Sequence, residues 1–266
     1  MCSSDLKSFK KWFNDYVAGF YGDDKYVNAN LKLKEKHSLR VCEEMQYIVR
    51  GLGLKKEQAL LAETIALFHD VGRFKQFAKY KTYKDHESID HGLLGIKVLR
   101  ETNVLDGLLR KEKQVIRKAI EYHGLKELPG GLNGDYLLHC QLIRDADKLD
   151  VYYTVAKYCR QYRENPAKFS LELEFPDKPT YSDGVVKDIL EGRRTNYSKL
   201  RTLNDMRLLQ LGWVYDVNFA ATLRRIKRRR FLEEIFSFLP ETGEIEKVKE
   251  TIYDYVNLRI KKERKL

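Results

Sequence analysis

Hydrophobic positions recur every three or four residues along most of this chain. Such spacing places apolar side chains on one face of a helix, whereas alternation at every second residue indicates a strand. Three segments show the pattern most clearly: Leu60, Leu61, Thr64, Ile65 and Phe68; Val115, Ile116, Ala119 and Ile120; and Leu138, Leu142, Ile143 and Leu149. The pattern predicts an all-α protein.

Glycine and proline positions predict where these helices end. Breaks are expected at 51–53, Gly72, Gly124 and the loop 129–131, and Ser88 is expected to cap a helix from about 90 to 99. Residues 164–182 differ, because prolines and the chain's only convincing alternation occur there. This segment predicts an extended excursion, a small hairpin or a boundary loop.

The chain is expected to form one helical domain over residues 1–266. Repeats and low-complexity tracts are absent from the sequence. We expect a core of about 30–155 and a C-terminal helical elaboration of about 156–266. The aromatic residues of the second part favour packing over a linker role: Trp213, Tyr215, Phe219, Phe231, Phe236 and Phe238.

The composition is that of an ordinary globular protein, with 43% hydrophobic and 33% charged residues. It excludes collagenous and disordered classes. The first residues mix acidic, basic and aromatic side chains, and no long apolar run follows, so we expect a cytoplasmic protein without a membrane partner. The four cysteines are scattered without a CxxC pair, which favours reduced thiols over a zinc knuckle.

The formal net charge of +11 favours anionic partners. The densest basic cluster consists of Arg224, Arg225, Lys227, Arg228, Arg229 and Arg230. One interpretation is a nucleic-acid surface. The alternative is a solvated helix that packs through Leu223, Ile226 and Phe231 while its arginines extend into water.

Histidine and aspartate supply the residues for chemistry. All six histidines of the chain precede residue 140, and four fall at helix ends or on inward helix faces: His37, His69, His91 and His123. Asp70 follows His69 directly, and Asp147 lies between apolar positions. Taken singly, each would be a packed or partly exposed residue. Imidazoles and carboxylates from several helices are nevertheless the donors that divalent metals favour, and one carboxylate can bridge two cations.

The order of these residues resembles a known family. His37, His69 with Asp70, His91, His123 and Asp147 are similar to the H…HD…H…H…D signature of the HD-domain superfamily, whose members are helical metal-dependent phosphohydrolases. The stretches HDVGRF, DHESIDHG, EYHG and RDADKLD resemble the family's local contexts. The resemblance covers roughly residues 30–155, and it is greatest to a bacterial group with HD(I/V)GRF and DH segments. It implies an HD-domain helical bundle.

The resemblance also implies a binuclear metal site. His37, His69, Asp70 and Asp147 would bind the first ion, and Asp70 would bridge to a second ion bound by the remaining histidines, His91 and His123. Alternatively, either of those two histidines could act as an acid, a base or a phosphate ligand. Divalent Mn, Fe, Ni, Co, Mg and Zn are all compatible with these donors.

Other residues are expected to contact substrate or support catalysis. Arg73 lies three residues after Asp70 and is suited to binding phosphate, and His86 could protonate a leaving group. Asp90 and Asp145 could orient imidazoles or cap helices. Further predicted substrate-binding residues are Lys84, Lys148, Arg193 and Arg194.

The resemblance predicts a phosphohydrolase that cleaves a phosphomonoester or phosphodiester with a metal-activated water. The expected partner is a small, anionic, phosphorylated and nucleotide-like substrate. Two alternatives remain, which are a mixed-valent diiron oxygenase of the same superfamily and a nucleic-acid-binding HD protein. None of the motifs specifies an oligomeric state.

Overall fold

A computed structural model of the protein describes residues 1–164 and 175–263. Over these residues the chain forms α-helices and short 3-10 turns and contains no strand. The predicted all-α class is therefore confirmed. Most of the predicted excursion lies outside the described residues, and its remainder, 175–182, is not a strand.

The chain divides into two compact units, residues 1–150 and residues 151–266 as far as the latter are described. The predicted single domain stays a prediction. The helices that begin in the first unit are α1 (Ser3–Ala18), α2 (Lys25–Leu52), α3 (Lys56–Phe68), α4 (Val71–Tyr80), α5 (His91–Glu101), α6 (Arg110–Tyr122) and α7 (Gly134–Glu164). A 3-10 turn at Asp85–Glu87 precedes α5.

In its described residues, the second unit contains the end of α7 and five further helices. These are α8 (Asp183–Leu190), α9 (Leu203–Gly212), α10 (Ala220–Arg228), α11 (Phe231–Phe236) and α12 (Gly243–Glu263). Short 3-10 turns lie at Tyr197–Lys199 and Trp213–Asp216. None of the described helices has the length and apolar character that crossing a bilayer requires.

Helix α3 is the central helix of the first unit. It packs against α1, α2 and α6. Ala62, Ile65, Ala66 and Phe68 are all fully buried. Because α3 buries side chains around much of its circumference, its C-terminal end lies inside the protein.

Only two residues, His69 and Asp70, separate α3 from α4. His69 still has helical dihedrals, whereas Asp70 has φ −104° and ψ 14°, which lies in the sparsely populated bridge region. The two helices are thus joined without a longer loop. Both polar side chains are thereby held in the interior, with relative exposures of 0% and 3%.

Helices α4 and α5 approach each other very closely at Gly72. A Cβ atom at this position would lie 2.2 Å from the carbonyl oxygen of His91 and 2.6 Å from the backbone nitrogen of Gly95. Such distances are well inside van der Waals contact, so only glycine fits. The glycine predicted to break a helix instead lies within α4 and lets α5 begin beside Asp70.

The residue that caps α5 differs from the prediction. Asp90 is the N-cap, and its carboxylate accepts a hydrogen bond of 2.8 Å from the backbone N–H of Leu93. Ser88 instead donates its hydroxyl to the carbonyl of Lys84. The prediction of Ser88 was wrong because serine and aspartate both favour the N-cap position. The helix begins at His91, so the residue directly before it, Asp90, is the cap.

Candidate metal centre

The buried carboxylate of Asp70 lies between two pairs of histidines. Its Oδ2 atom is 3.4 Å from His37 Nε2 and 3.7 Å from His69 Nε2. Its Oδ1 atom is 3.5 Å from His91 Nε2 and 3.8 Å from His123 Nε2. Four imidazoles from separate parts of the chain therefore direct the same ring nitrogen at one carboxylate.

His69 and His123 are positioned by the same local geometry. Each directly follows the last residue of a helix, α3 or α6, where carbonyls lack helical partners. His69 Nδ1 is 2.8 Å from the carbonyl of Ala66, and His123 Nδ1 is 2.7 Å from that of Ile120. Because a carbonyl only accepts, Nδ1 carries a proton, and each ring in its neutral form presents a lone pair at Nε2.

His37 and His91 are oriented by carboxylates instead. His37 Nδ1 is 2.7 Å from Asp150 Oδ2, and His91 Nδ1 is 2.6 Å from Asp85 Oδ2. Asp150 also accepts two hydrogen bonds from Arg40 on α2, at 2.5 and 2.9 Å. A carboxylate at Nδ1 fixes the ring and makes Nε2 a stronger donor to a metal.

Each histidine pair brings two Nε2 atoms close together. The distance is 3.2 Å between His37 and His69, and 3.0 Å between His91 and His123. Two lone pairs at this distance repel unless a proton or a metal cation lies between them. The four Nε2 atoms therefore form a donor set for cations.

The pKa values of each pair differ in a way that allows one shared proton. Burial lowers the pKa of His69 to about 4. Burial also lowers that of His37, but hydrogen bonds to Asp147 and Asp150 outweigh it and raise the pKa to about 9. In the other pair, burial lowers the pKa of His91, while Asp70 outweighs burial and raises that of His123. Metal binding must displace such protons, so affinity should increase with pH.

The carboxylates are in the state that metal ligation requires. Burial would raise the pKa of Asp70, but Lys34, His69 and other neighbours outweigh it and hold the pKa well below its usual range. Asp147 on α7 lies 3.3 Å from His37 Nε2, and His37 lowers the pKa of this carboxyl against the effect of burial. Its side chain remains 28% exposed, so the centre is open at this ligand.

These distances group the six predicted ligands into sets that could hold a metal ion. In each set, one donor atom from every residue lies within 4.8 Å of the others. The sets are His37, His69 and Asp70; His69, His123 and Asp147; and Asp70, His91 and His123. The donor chemistry fits divalent cations. The number of ions and the role of each ligand stay predictions.

Two basic side chains also contact Asp70. Lys34 Nζ lies 2.8 Å from Oδ2, and Arg73 Nε lies 3.5 Å from Oδ1. The Nη1 atom of Arg73 donates to Gln76 Oε1 at 2.9 Å, to the carbonyl of Tyr83 at 2.5 Å and to Asp85 Oδ1 at 2.8 Å. Its Nη2 atom has no acceptor within the described part of the chain. Phosphate binding by Arg73 stays a prediction, with Nη2 as the available group.

The other predicted residues of the first unit lie outside the group of ligands. His86 is exposed on the 3-10 turn, and its Nε2 is 3.7 Å from Glu87. Lys84 is half exposed and pairs with the same glutamate at 3.1 Å. Lys148 follows Asp147 on α7 and is half-buried. Their roles in substrate binding and catalysis stay predictions.

Arg193 and Arg194 belong to the second unit and form ion pairs there. Arg193 contacts Asp188 at 3.1 Å and also pairs with Glu191. Arg194 contacts Asp216 at 2.8 Å. These carboxylates would compete with a substrate phosphate for the guanidinium groups, and substrate binding by either arginine stays a prediction.

The basic cluster contributes to a groove between α10 and α12. Three of its members line this groove with residues of α12: Arg224, Lys227 and Arg228 with Asn257, Ile260 and Lys261. Lys227 donates to the amide oxygen of Asn257 at 2.7 Å, and Arg224 lies 3.6 Å from Glu263. Leu223, Ile226 and Phe231 are buried, as the packed-helix interpretation expects. Binding of nucleic acid stays a prediction.

Sequence reasoning missed the residues that support the ligands. Lys34 and Arg40 lie three residues before and after His37, and Asp150 lies three residues after Asp147, so helical spacing places each beside a ligand. That spacing was the available signal. Asp85 carries no such signal, since the turn before α5 brings it to His91. Of the predicted supporting residues, Asp90 caps α5.

The fold and the centre define a class of protein, a helical protein with clustered histidine and aspartate donors for divalent metal. The family model described as HD domain matches residues 35–152. Residues 35–152 therefore form an HD domain, which confirms the resemblance at that level, while the bacterial subgroup stays a prediction. No curated protein and no solved structure matches the chain.

Proposed function

We propose that this protein is a metal-dependent phosphohydrolase that cleaves a phosphomonoester or phosphodiester, with a nucleotide-like molecule as substrate. An HD domain indicates metal-dependent phosphohydrolase activity in general. The observation that carries the proposal is the convergence of four Nε2 atoms on the carboxylate of Asp70. Divalent cations bound there would lower the pKa of a water molecule and neutralise phosphoryl oxygens.

The protein's own residues prepare this centre for a cation. Backbone carbonyls and carboxylates fix the Nδ1 protons of the four histidines, so the rings need little reorientation. Asp70 and Asp147 are held ionised by their neighbours. Arg73 is fixed at the edge by Asp85 and Gln76 and offers Nη2 to a phosphate oxygen.

The first test measures metal content and phosphate release together. The protein is purified without a chelating tag, its metal is quantified, and it is assayed with Mn²⁺ against nucleoside phosphates, cyclic dinucleotides and p-nitrophenyl phosphates. We expect bound divalent metal and phosphate release. Asp70→Asn should lose the metal and at least about 10²-fold of the activity, because it removes the charge that both histidine pairs face.

Asp106→Asn is the matched control for this substitution. Asp106 also lies in the first unit, but it is exposed, and its carboxylate pairs with Lys113 at 3.2 Å. It should keep metal and activity. Two bound irons with oxygen consumption and no phosphate release would contradict the proposal in favour of the oxygenase. Full activity in metal-free protein would contradict both.

A further inference from the structure

The two basic residues on Asp70 are arranged symmetrically but held differently. One oxygen faces Lys34, His37 and His69, and the other faces Arg73, His91 and His123. Each half of the centre therefore contains a histidine pair, one carboxylate oxygen and one basic side chain. Lys34 and Arg73 are the counter-ions of the carboxylate that the two halves share.

Arg73 is held in position by several hydrogen bonds, whereas the Lys34 ammonium is held by Asp70. Three acceptors engage Nη1 of Arg73, and they come from α4 and from the segment before α5. Asp70 is the sole hydrogen-bond acceptor for Lys34 among residues 1–164 and 175–263. The Lys34 side chain is 23% exposed, and its long stem allows the ammonium to reach solvent.

A divalent cation and Lys34 would compete for the same atom. The ammonium lies 2.8 Å from Asp70 Oδ2, the oxygen that faces His37 and His69. A cation bound by these donors would repel an ammonium at that distance and take over its carboxylate partner. The Lys34 ammonium would then be available to bind another anion within reach of its side chain.

The surroundings of Lys34 favour a phosphate as that anion. The centroid of the Tyr83 ring lies 5.3 Å from Lys34 Nζ and 6.0 Å from Arg73 Cζ, so both basic groups lie beside the same aromatic ring. This ring is fixed by stacking on Phe77, with centroids 4.5 Å apart, and by a hydrogen bond of 2.9 Å from its hydroxyl to the carbonyl of Asn30. Two basic groups beside bound cations suit a phosphate dianion better than a singly charged diester.

We propose that Lys34 is a switching counter-ion, which pairs with Asp70 in the metal-free protein and binds the phosphate dianion of a phosphomonoester when metal occupies the centre. This inference rests on the proposed function and assigns its substrate charge. It also makes metal and phosphate binding cooperative, since metal releases the group that binds phosphate.

The first experiment titrates metal-free protein with Mn²⁺ in the absence of phosphate. Lys34→Met removes the competing ammonium and keeps most of the side-chain volume. We expect it to bind Mn²⁺ about tenfold more tightly than the wild type, a coupling typical of linked sites. Lys32→Met is the matched control, because Lys32 lies on the same helix, is half exposed and pairs with Glu35 rather than Asp70.

The second experiment measures binding of inorganic phosphate to protein saturated with Mn²⁺. Lys34→Met should bind phosphate about tenfold more weakly, while Lys34→Arg should keep most of the affinity because it retains the charge. Lys32→Met should match the wild type. If Lys34→Met does not fold, Lys34→Gln serves in both experiments with the same expected directions.

The pattern of results separates this inference from the proposed function. Tighter metal binding together with weaker phosphate binding supports the switching role. If the wild type binds Mn²⁺ and releases phosphate from substrates but Lys34→Met changes neither affinity, the switch is wrong and the hydrolase stands. If the wild type binds no divalent metal, the proposed function fails and the switch fails with it.

Discussion

At the scale of residues, the strength of each imidazole as a metal ligand depends on the group that accepts a hydrogen bond from its Nδ1 atom. His69 and His123 donate from Nδ1 to backbone carbonyls, whereas His37 and His91 donate to carboxylates. Each pair therefore combines one carbonyl-anchored and one carboxylate-anchored ring. A ring anchored by a carboxylate is the more electron-rich ligand. Asp85 and Asp150 should therefore raise metal affinity although they contact Nδ1 rather than the Nε2 atoms of the centre.

Asp85→Ala tests this at one half of the centre. The change removes the acceptor of His91 Nδ1 and one acceptor of Arg73. We expect the affinity for one divalent ion to fall about 10- to 100-fold, while the ion on the side of His37 and His69 is retained. Calorimetric titration with Mn²⁺ would show this as one weakened binding event beside one of unchanged affinity.

Glu87→Ala is the control for Asp85→Ala. Glu87 lies on the same 3-10 turn, but it is half exposed and pairs with Lys84 and His86. Its removal should leave both affinities unchanged. An Asp85→Ala protein that binds both ions as the wild type does would contradict a positioning role for this carboxylate.

The predicted ligands and their supporting residues differ in what the sequence reveals. The order of histidine and aspartate identified the six candidates, because that pattern is read directly from the chain. Their partners were missed because they meet only in the folded protein. Asp150, for example, lies 113 residues from the ring that it orients.

At the scale of elements, the position of His91 depends on how closely α5 approaches α4. Glycine at position 72 allows that approach, since a side chain there would collide with the first residue of α5. The same contact brings His91 to Asp70, which lies two residues before the glycine. Assembly of the centre therefore depends on the close packing of α4 and α5.

Gly72→Ala should both destabilise the protein and weaken the centre. The added methyl would lie 2.2 Å from the carbonyl oxygen of His91, so α5 must shift. We expect a loss of about 1–3 kcal/mol in the free energy of unfolding, as for other overpacked interiors, together with weaker metal binding. Urea denaturation of metal-free protein and a Mn²⁺ titration would measure the two effects.

Gly95→Ala provides the comparison, because it lies on the other side of the same contact. A Cβ atom at Gly95 would be 3.4 Å or more from its nearest neighbours, which is an ordinary packing distance. It should cost much less stability than Gly72→Ala. Equal losses in the two variants would show that the closeness of α4 and α5 is not the cause.

Element boundaries were less predictable than the elements themselves. The period of three and four was sufficient for α3 and α6, whose buried residues include most of the predicted positions. The N-cap of α5 is Asp90, two residues after the predicted Ser88, and Gly72 was expected to end a helix but lies inside one. Periodicity reports which face is buried, whereas a boundary depends on local capping and packing.

At the scale of the whole molecule, the net charge of +11 is the broadest feature. Part of it is concentrated on the groove between α10 and α12, where Lys227, Arg228 and Lys261 are exposed. A groove with several exposed basic residues attracts polyanions in a salt-dependent manner. The protein should therefore be retained on immobilised single-stranded RNA and elute earlier as salt rises.

Two triple variants distinguish RNA binding by this groove from attraction by the overall charge of the protein. Alanine at Lys227, Arg228 and Lys261 should lower the salt needed for elution. Alanine at Lys25, Lys55 and Lys56, which are exposed lysines of the first unit, removes the same charge and should change elution less. If the two triple variants elute at the same salt concentration, net charge alone explains the retention on RNA. Phosphohydrolase activity should be unchanged in both.

The sequence by itself determined the helical class, the HD domain and the six candidate ligands. Helical class follows from a repeating local pattern, and the ligands follow from residue types in a fixed order, so neither needs knowledge of distant contacts. Tertiary structure decided which proton each imidazole keeps, that Lys34 and Arg73 share Asp70, and that Arg73 is already engaged by its neighbours. Those properties depend on hydrogen-bond distances between atoms far apart in the chain, which only packing of the helices can set.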